Sequence, residues 1–306
     1  MQMSTMLSWS DSRLFVMFDN IDIQAFDHAD QFRCFVCPHA CFLREGQVGL
    51  CRARRGSSTG VVSQSYGKIT SLALDPIEKK PLARFMPGGK ILSVGSFGCN
   101  LRCPFCQNFT LSQSGINDVA WQEIEPEQLV QKALRAKEQG NVGLAYTYNE
   151  PLINYEFIYE SARLAHENGL VNVLVSNGMA NGEIIEQLAP FLDAVNIDIK
   201  GFTQDFYEML GGSLETVKQT VELLVACPTC HVETTTLIVP SKNDTEEEID
   251  KLSRWLASLD PAIPYHVTRF FPCYKMSNLN PTPIEHVYYL ADVARKHLRY
   301  VYTGNC

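Results

Sequence analysis

Residues 95–108 read GSFGCNLRCPFCQN and follow the apolar run ILSV at 91–94. Cys99, Cys103 and Cys106 form a C-x3-C-x2-C array inside this one short segment. Thiolates are soft ligands, and three on a single loop suit three irons of a cuboidal [4Fe–4S] cluster. The fourth iron then has no protein ligand and stays open to a small chelating molecule. Gly95, Gly98, Asn100 and Pro104 are turn formers, suited to a loop that wraps its backbone around sulfur. An apolar strand that feeds such a loop places the cluster at a strand end, and the rest of the chain is read outward from there.

From residue 90 onward, strand-like and helix-like segments alternate. The pattern predicts strands at 91–94, 142–147, 171–176, 194–199, 232–239 and 265–270, with a seventh at 300–302. Helices are predicted at 126–139, 152–168, 183–188, 214–226, 245–258 and 284–297. Apolar strands alternating with helices imply a parallel sheet buried on both faces. The fold class is therefore α/β. The organisation predicted is a lead segment at 1–30, a cysteine-rich metal-binding extension at 31–89, and a barrel-like unit at 90–306.

The C-x3-C-x2-C array resembles that of the radical SAM superfamily. The wider runs DPIEKKPL (75–82), PGGKILSVGSFGCNLRCPFCQN (87–108) and AYTYNEP (145–151) are similar to the radical SAM member of the AmmeMemoRadiSam system. That family is related to pyruvate formate-lyase-type activating enzymes. The resemblance implies a partial (β/α)6 radical SAM barrel with the N-terminal cysteine-rich extension beside it. It implies a [4Fe–4S] cluster and S-adenosylmethionine (SAM), cleaved reductively to a 5′-deoxyadenosyl radical that abstracts hydrogen from a substrate. The electron donor implied is a flavodoxin or ferredoxin, the substrate a protein or other macromolecule, and the partners Memo-like and AMMECR-like proteins. Two further readings stay open on the residues: a radical SAM enzyme that modifies RNA, and a non-enzymatic iron–sulfur or zinc scaffold.

In parallel α/β barrels, chemistry gathers at the carboxyl ends of the strands. The second strand here ends in Tyr148-Asn149-Glu150-Pro151, where activating enzymes carry Gly-Gly-Glu-Pro for the SAM amino group. The resemblance thus assigns Tyr148, Asn149 and Glu150 to cofactor binding, with two glycines replaced. On its own the segment also reads as a helix start, with Asn149 as the cap. The third strand ends in Ser176-Asn177-Gly178, whose polar groups suit ribose or carboxylate oxygens. The fourth ends in Asp198-Ile199-Lys200; an acid and a base two apart share one face, with Lys200 for the SAM carboxylate and Asp198 orienting it. Glu233 on the fifth is a weaker candidate. After the sixth, Phe271, Cys273 and Tyr274 stand where activating enzymes often have a histidine, and are expected to face the substrate.

A second group, Cys34, Cys37, Cys41 and Cys51, offers four soft ligands for tetrahedral zinc or an auxiliary iron–sulfur cluster, with His39 as an alternative ligand. Arg33, Arg44, Arg52, Arg54 and Arg55 accompany it, read either as a docking face or as a solvated surface. The loop 75–81, DPIEKKP, reads as a fixed non-helical turn that borders the site or simply lies on the surface. Eleven cysteines in 306 residues, clustered and without a secretory leader pattern, suggest metal binding in a reducing compartment, so a cytoplasmic location is expected. A net charge of −8 argues against a general nucleic-acid or membrane-surface binder.

Overall fold

The computed structural model describes residues 31–306; the lead segment 1–30 lies outside the described residues. Eight strands form the main sheet: β1 Ser71–Pro76, β2 Lys90–Gly95, β3 Asn141–Tyr146, β4 Val171–Ser176, β5 Ala194–Asp198, β6 His231–Ile238, β7 Tyr265–Arg269 and β8 Val301–Gly304. Their spatial order follows the chain. β1 is antiparallel to β2, and β2 to β8 are parallel throughout. The connecting helices are α1 Pro126–Arg135, α2 Tyr155–Glu167, α3 Gly182–Leu188, α4 Gln204–Leu210, α5 Leu214–Ala226, α6 Glu246–Leu259 and α7 Ile284–Arg295. Among the described residues β1 and β8 each pair on one side only, so the sheet they form is an unclosed barrel.

Alternation along the strands explains both faces. Leu92, Val94, Leu144, Tyr146, Leu174 and Ile197 belong to the core shared with the helices. Ile91, Ala145, Val173 and Ala194 point the other way, into a cluster with Ile77 and Leu82. Local signals set the helix ends. α1 begins with a reciprocal capping box between Glu125 and Gln128 and ends, after a 3-10 turn over Ala136–Gln139, at Gly140 with φ +88°. Thr245 caps α6, and three acids fill its first turn.

The sheet begins inside the segment assigned above to the extension. Residues 71–76 pair with the full length of β2, Leu74 against Leu92 and Leu72 against Val94. Pro76 is the last residue of this edge strand, where the lost N–H breaks no central ladder. Two expectations for the 75–81 segment need correction: Asp75 lies in a strand, and Ile77–Lys79 form a turn of 3-10 helix. α4 was not predicted; Thr203 caps it and Gly211 ends it at φ +75°.

The 77–85 segment then passes beneath the sheet interior. Ile77 and Leu82 are fully buried there. The Asn196 carboxamide donates to the Pro81 carbonyl at 2.7 Å. Glu233 accepts from the Ala83 and Arg84 backbone N–H groups at 3.0 and 2.8 Å. The Arg84 guanidinium stacks 3.8 Å from the centre of the Tyr300 ring, just before β8. The segment thus spans from the first strand to the last and floors the interior. Among the described residues no helix is long and apolar enough to cross a membrane.

Candidate active site

The cluster loop leaves β2 through Gly95 and Gly98. Gly98 has φ +86°, and a Cβ there would lie 2.5 Å from the Cys51 carbonyl oxygen, so this position admits only glycine. Donors surround the sulfurs. The Leu101 N–H and the Asn177 carboxamide lie 3.3 and 3.5 Å from Cys99 Sγ, and the Ser112 hydroxyl lies 3.1 Å from Cys106 Sγ. Burial pushes the Cys99 thiol well above its ordinary range, helped by Glu150 and Cys103. Burial also raises Cys103 to about 12, against the pull of Lys200. Bound metal deprotonates such thiols outright. Three soft donors, N–H groups aimed at sulfur and a nearby ammonium fit an iron–sulfur cluster bound by three thiolates.

The turn after β3 is tied down at every side chain. Tyr148 has φ +74°, and its hydroxyl donates to Asp75 Oδ2 at 2.6 Å. Asn149 accepts from the Ser96 N–H at 2.9 Å and donates to the Phe97 and Gly98 carbonyls at 3.1 and 3.2 Å, so it holds the stem of the cluster loop. Glu150 accepts from the Ser176 hydroxyl at 2.7 Å, the Asn177 N–H at 2.8 Å and the Leu152 N–H at 3.0 Å. Glu150, not Asn149, therefore caps the 3-10 turn that starts α2. Burial raises the Glu150 carboxyl to about 7 in spite of these bonds.

Asn177 extends the network: its carboxamide donates to Asn100 Oδ1 at 3.0 Å, and Asn100 in turn donates to the Met179 carbonyl at 2.6 Å. Lys200 Nζ lies 2.9 Å from Asp198 Oδ2. Burial disfavours the Lys200 charge, but Asp198 and the Cys103 and Cys106 sulfurs outweigh it and raise the ammonium pKa. The strand ends at 148–150, 176–177 and 198–200 thus converge on the cluster loop. The loop after β7 packs on the outside of that loop. Tyr274 stacks on Phe109 at 4.7 Å, the Lys275 N–H donates to the Pro104 carbonyl at 3.0 Å, and Cys273 Sγ lies 3.6 Å from the Cys106 carbonyl. Of the three residues expected to face substrate there, Phe271 is exposed and Tyr274 is committed to the cluster loop.

Cys34, Cys37, Cys41 and Cys51 line one small pocket with Leu43 and Arg54. Among the described residues no three His, Cys, Asp or Glu side chains are gathered tightly enough to hold a single ion. His39 is committed elsewhere, with Nε2 2.8 Å from the Asn100 carbonyl. Arg54 is buried and pairs bidentately with Glu156 at 2.7 and 2.9 Å, so it leaves the arginine face, while Arg33, Arg44 and Arg55 stay exposed. The module docks on the cluster loop: the Cys99 N–H donates to the Cys51 carbonyl at 3.1 Å, and Asn181 binds the Phe35 and Val36 carbonyls at 2.7 and 3.0 Å. The sequence reading missed Asn100 as a hub and Lys80 as a buried cation. The only signal for Lys80 was the charged DPIEKKP stretch.

Three cysteines on the loop after a parallel strand, ringed by polar groups from the next strand ends, define an α/β partial barrel built to hold an iron–sulfur cluster. Residues 93–256 match the Radical SAM superfamily, and the chain belongs to it. Membership brings a [4Fe–4S] cluster and SAM as cofactors. An uncharacterised protein of Methanocaldococcus jannaschii is 38% identical over 278 residues, 90% of this chain and 82% of that protein. The pyruvate formate-lyase-activating enzyme of Clostridium pasteurianum is 27% identical over 182 residues, 55% of this chain and 72% of that enzyme. A radical SAM methyltransferase from Sphaerobacter thermophilus shares the fold, with a TM-score of 0.55 and 17% identity over 72% of this chain and 67% of that one.

Proposed function

We propose that this radical SAM enzyme abstracts hydrogen from a protein substrate in the manner of an activating enzyme, and that it serves as the radical SAM member of an AmmeMemoRadiSam system with Memo-like and AMMECR-like partners. In this reading Cys99, Cys103 and Cys106 hold the cluster, the 148–150 turn and Ser176–Asn177 receive the SAM amino group and ribose, and Lys200 receives the carboxylate. The cofactors when bound supply the carbon radical that takes a hydrogen atom, after one electron from a flavodoxin or ferredoxin. The chain itself orients SAM, excludes water and sets the charge around the thiolates.

The observation that carries the protein-substrate reading is the outer face of the cysteine module. Phe35, Phe42, Val48 and Leu50 are each 43–50% exposed beside Arg33, Arg44 and Arg55, on the unit that clamps the cluster loop. Exposed apolar groups rimmed by arginine suit a protein surface better than RNA, and the loss of Arg54 to Glu156 weakens the RNA alternative. Cys34, Cys37, Cys41 and Cys51 are proposed to bind zinc or an auxiliary cluster once drawn together. Anaerobic incubation with SAM, a reductant and deuterated proteome tests the substrate class. Deuterium in 5′-deoxyadenosine is expected only from the protein fraction. Efficient deuterium transfer from free metabolites would overturn it.

A further inference from the structure

A tyrosine stands in the left-handed backbone region at 148, an uncommon place for a bulky side chain. Such conformations persist only where the surroundings over-determine them. Here they do. The Tyr148 ring lies across Gly95, where an added Cβ would come within 2.7 Å of Tyr148 Cδ2. Asp75 Oδ2 accepts both the Tyr148 hydroxyl, at 2.6 Å, and Lys80 Nζ, at 2.8 Å. Lys80 Nζ in turn sits 4.8 Å from the centre of the Tyr148 ring. Lys80 is only 2% exposed, so the triangle is interior, while the other carboxylate oxygen, Asp75 Oδ1, faces the exposed Lys79 Nζ at 3.5 Å. Nothing in the chemistry above uses Asp75 or Lys80.

We infer that Asp75 and Lys80 are positioning residues for SAM: they hold Tyr148 by its side chain in the backbone conformation that a glycine would adopt unaided. The inference rests on the proposed role of the 148–150 turn. With Asn149 spent on the cluster loop and Glu150 already accepting from Ser176, Asn177 and Leu152, the turn offers the ligand the remaining capacity of that carboxylate and its backbone at Tyr148, and the triangle fixes that backbone.

The test is SAM affinity by anaerobic equilibrium dialysis of the cluster-reconstituted protein. The double variant D75L/K80M removes both charges together and strands neither, which a fold tolerates better than losing one. It should bind SAM roughly tenfold more weakly than wild type, as expected for releasing a strained backbone. In the Y148G background the same double change should cost less than twofold, because glycine enters the left-handed region freely. Y148F, which deletes only the hydroxyl bonded to Asp75, is the milder check should the double variant fail to fold, with an expected loss of about threefold. Unchanged affinity in D75L/K80M or, if that does not fold, in Y148F overturns the inference, as does an equal loss in both backgrounds. Wild-type protein with an intact cluster that binds no SAM would instead overturn the SAM reading itself.

Discussion

The carboxyl group of Glu150 ties two strand ends together while its burial resists the charge that makes those bonds strong. Its folded pKa, pushed up to about 7, lies above the ordinary value of 4.5, so the group favours folding most at low pH, and that contribution is lost as pH rises through about 7. In the proposed SAM contact, the ionised form is the one able to accept from the amino group. SAM affinity is therefore expected to rise by up to about tenfold between pH 6 and pH 8, read by equilibrium binding, and E150Q should flatten the profile. A wild-type affinity independent of pH would remove Glu150 from the SAM contact. The strand-end position of Glu150 was legible in YNEP. That its oxygens already serve Leu152, Ser176 and Asn177 was not, since two of those partners arrive from another strand.

At the scale of elements, the 77–85 floor depends on one carboxylate. Glu233 is fully buried and takes hydrogen bonds from two backbone N–H groups and from His231 and His266, at 2.9 and 2.6 Å. Burial opposes its ionisation, but these partners win and lower its pKa to about 2. A depressed acid adds stability above its unfolded pKa of about 4.5 and loses it as pH falls toward about 2. E233A leaves the two histidines and the floor without their acceptor, so urea unfolding near neutral pH should show a loss of about 3–5 kcal/mol and a smaller stability loss on acidification. A loss under about 1 kcal/mol would mean the floor is held by its apolar contacts alone. The long parallel strands were readable from their apolar runs. β1 was not assigned to the sheet, because antiparallel pairing with β2 is a register choice that the run ITSLAL leaves open.

For the whole molecule, the two cysteine groups are mechanically one. The Cys51 carbonyl holds the Cys99 N–H, His39 holds the Asn100 carbonyl, and Gly98 is packed against the Cys51 backbone. Replacing Cys34 and Cys37 by serine should therefore lower the iron and sulfide retained at Cys99, Cys103 and Cys106 by at least half, although neither residue belongs to that loop. The reverse change, alanine at all three loop cysteines, should leave in place the metal proposed for the N-terminal pocket. Elemental analysis after anaerobic reconstitution reads both. Full iron content in the first variant would show that the modules fold independently.

Ligand spacing and hydrophobic period are local properties, so the sequence by itself determined the cluster loop, the run of parallel strands and the polar residues at their ends. Which of those polar groups remain free for a ligand was decided only by the tertiary structure. Tyr148 and Asp75 lie 73 residues apart, Asn149 and Ser96 lie 53 apart, and Glu150 and Asn177 lie 27 apart. Hydrogen bonds over such distances depend on strand order and register, and a side chain's nearest neighbours along the chain carry no record of them.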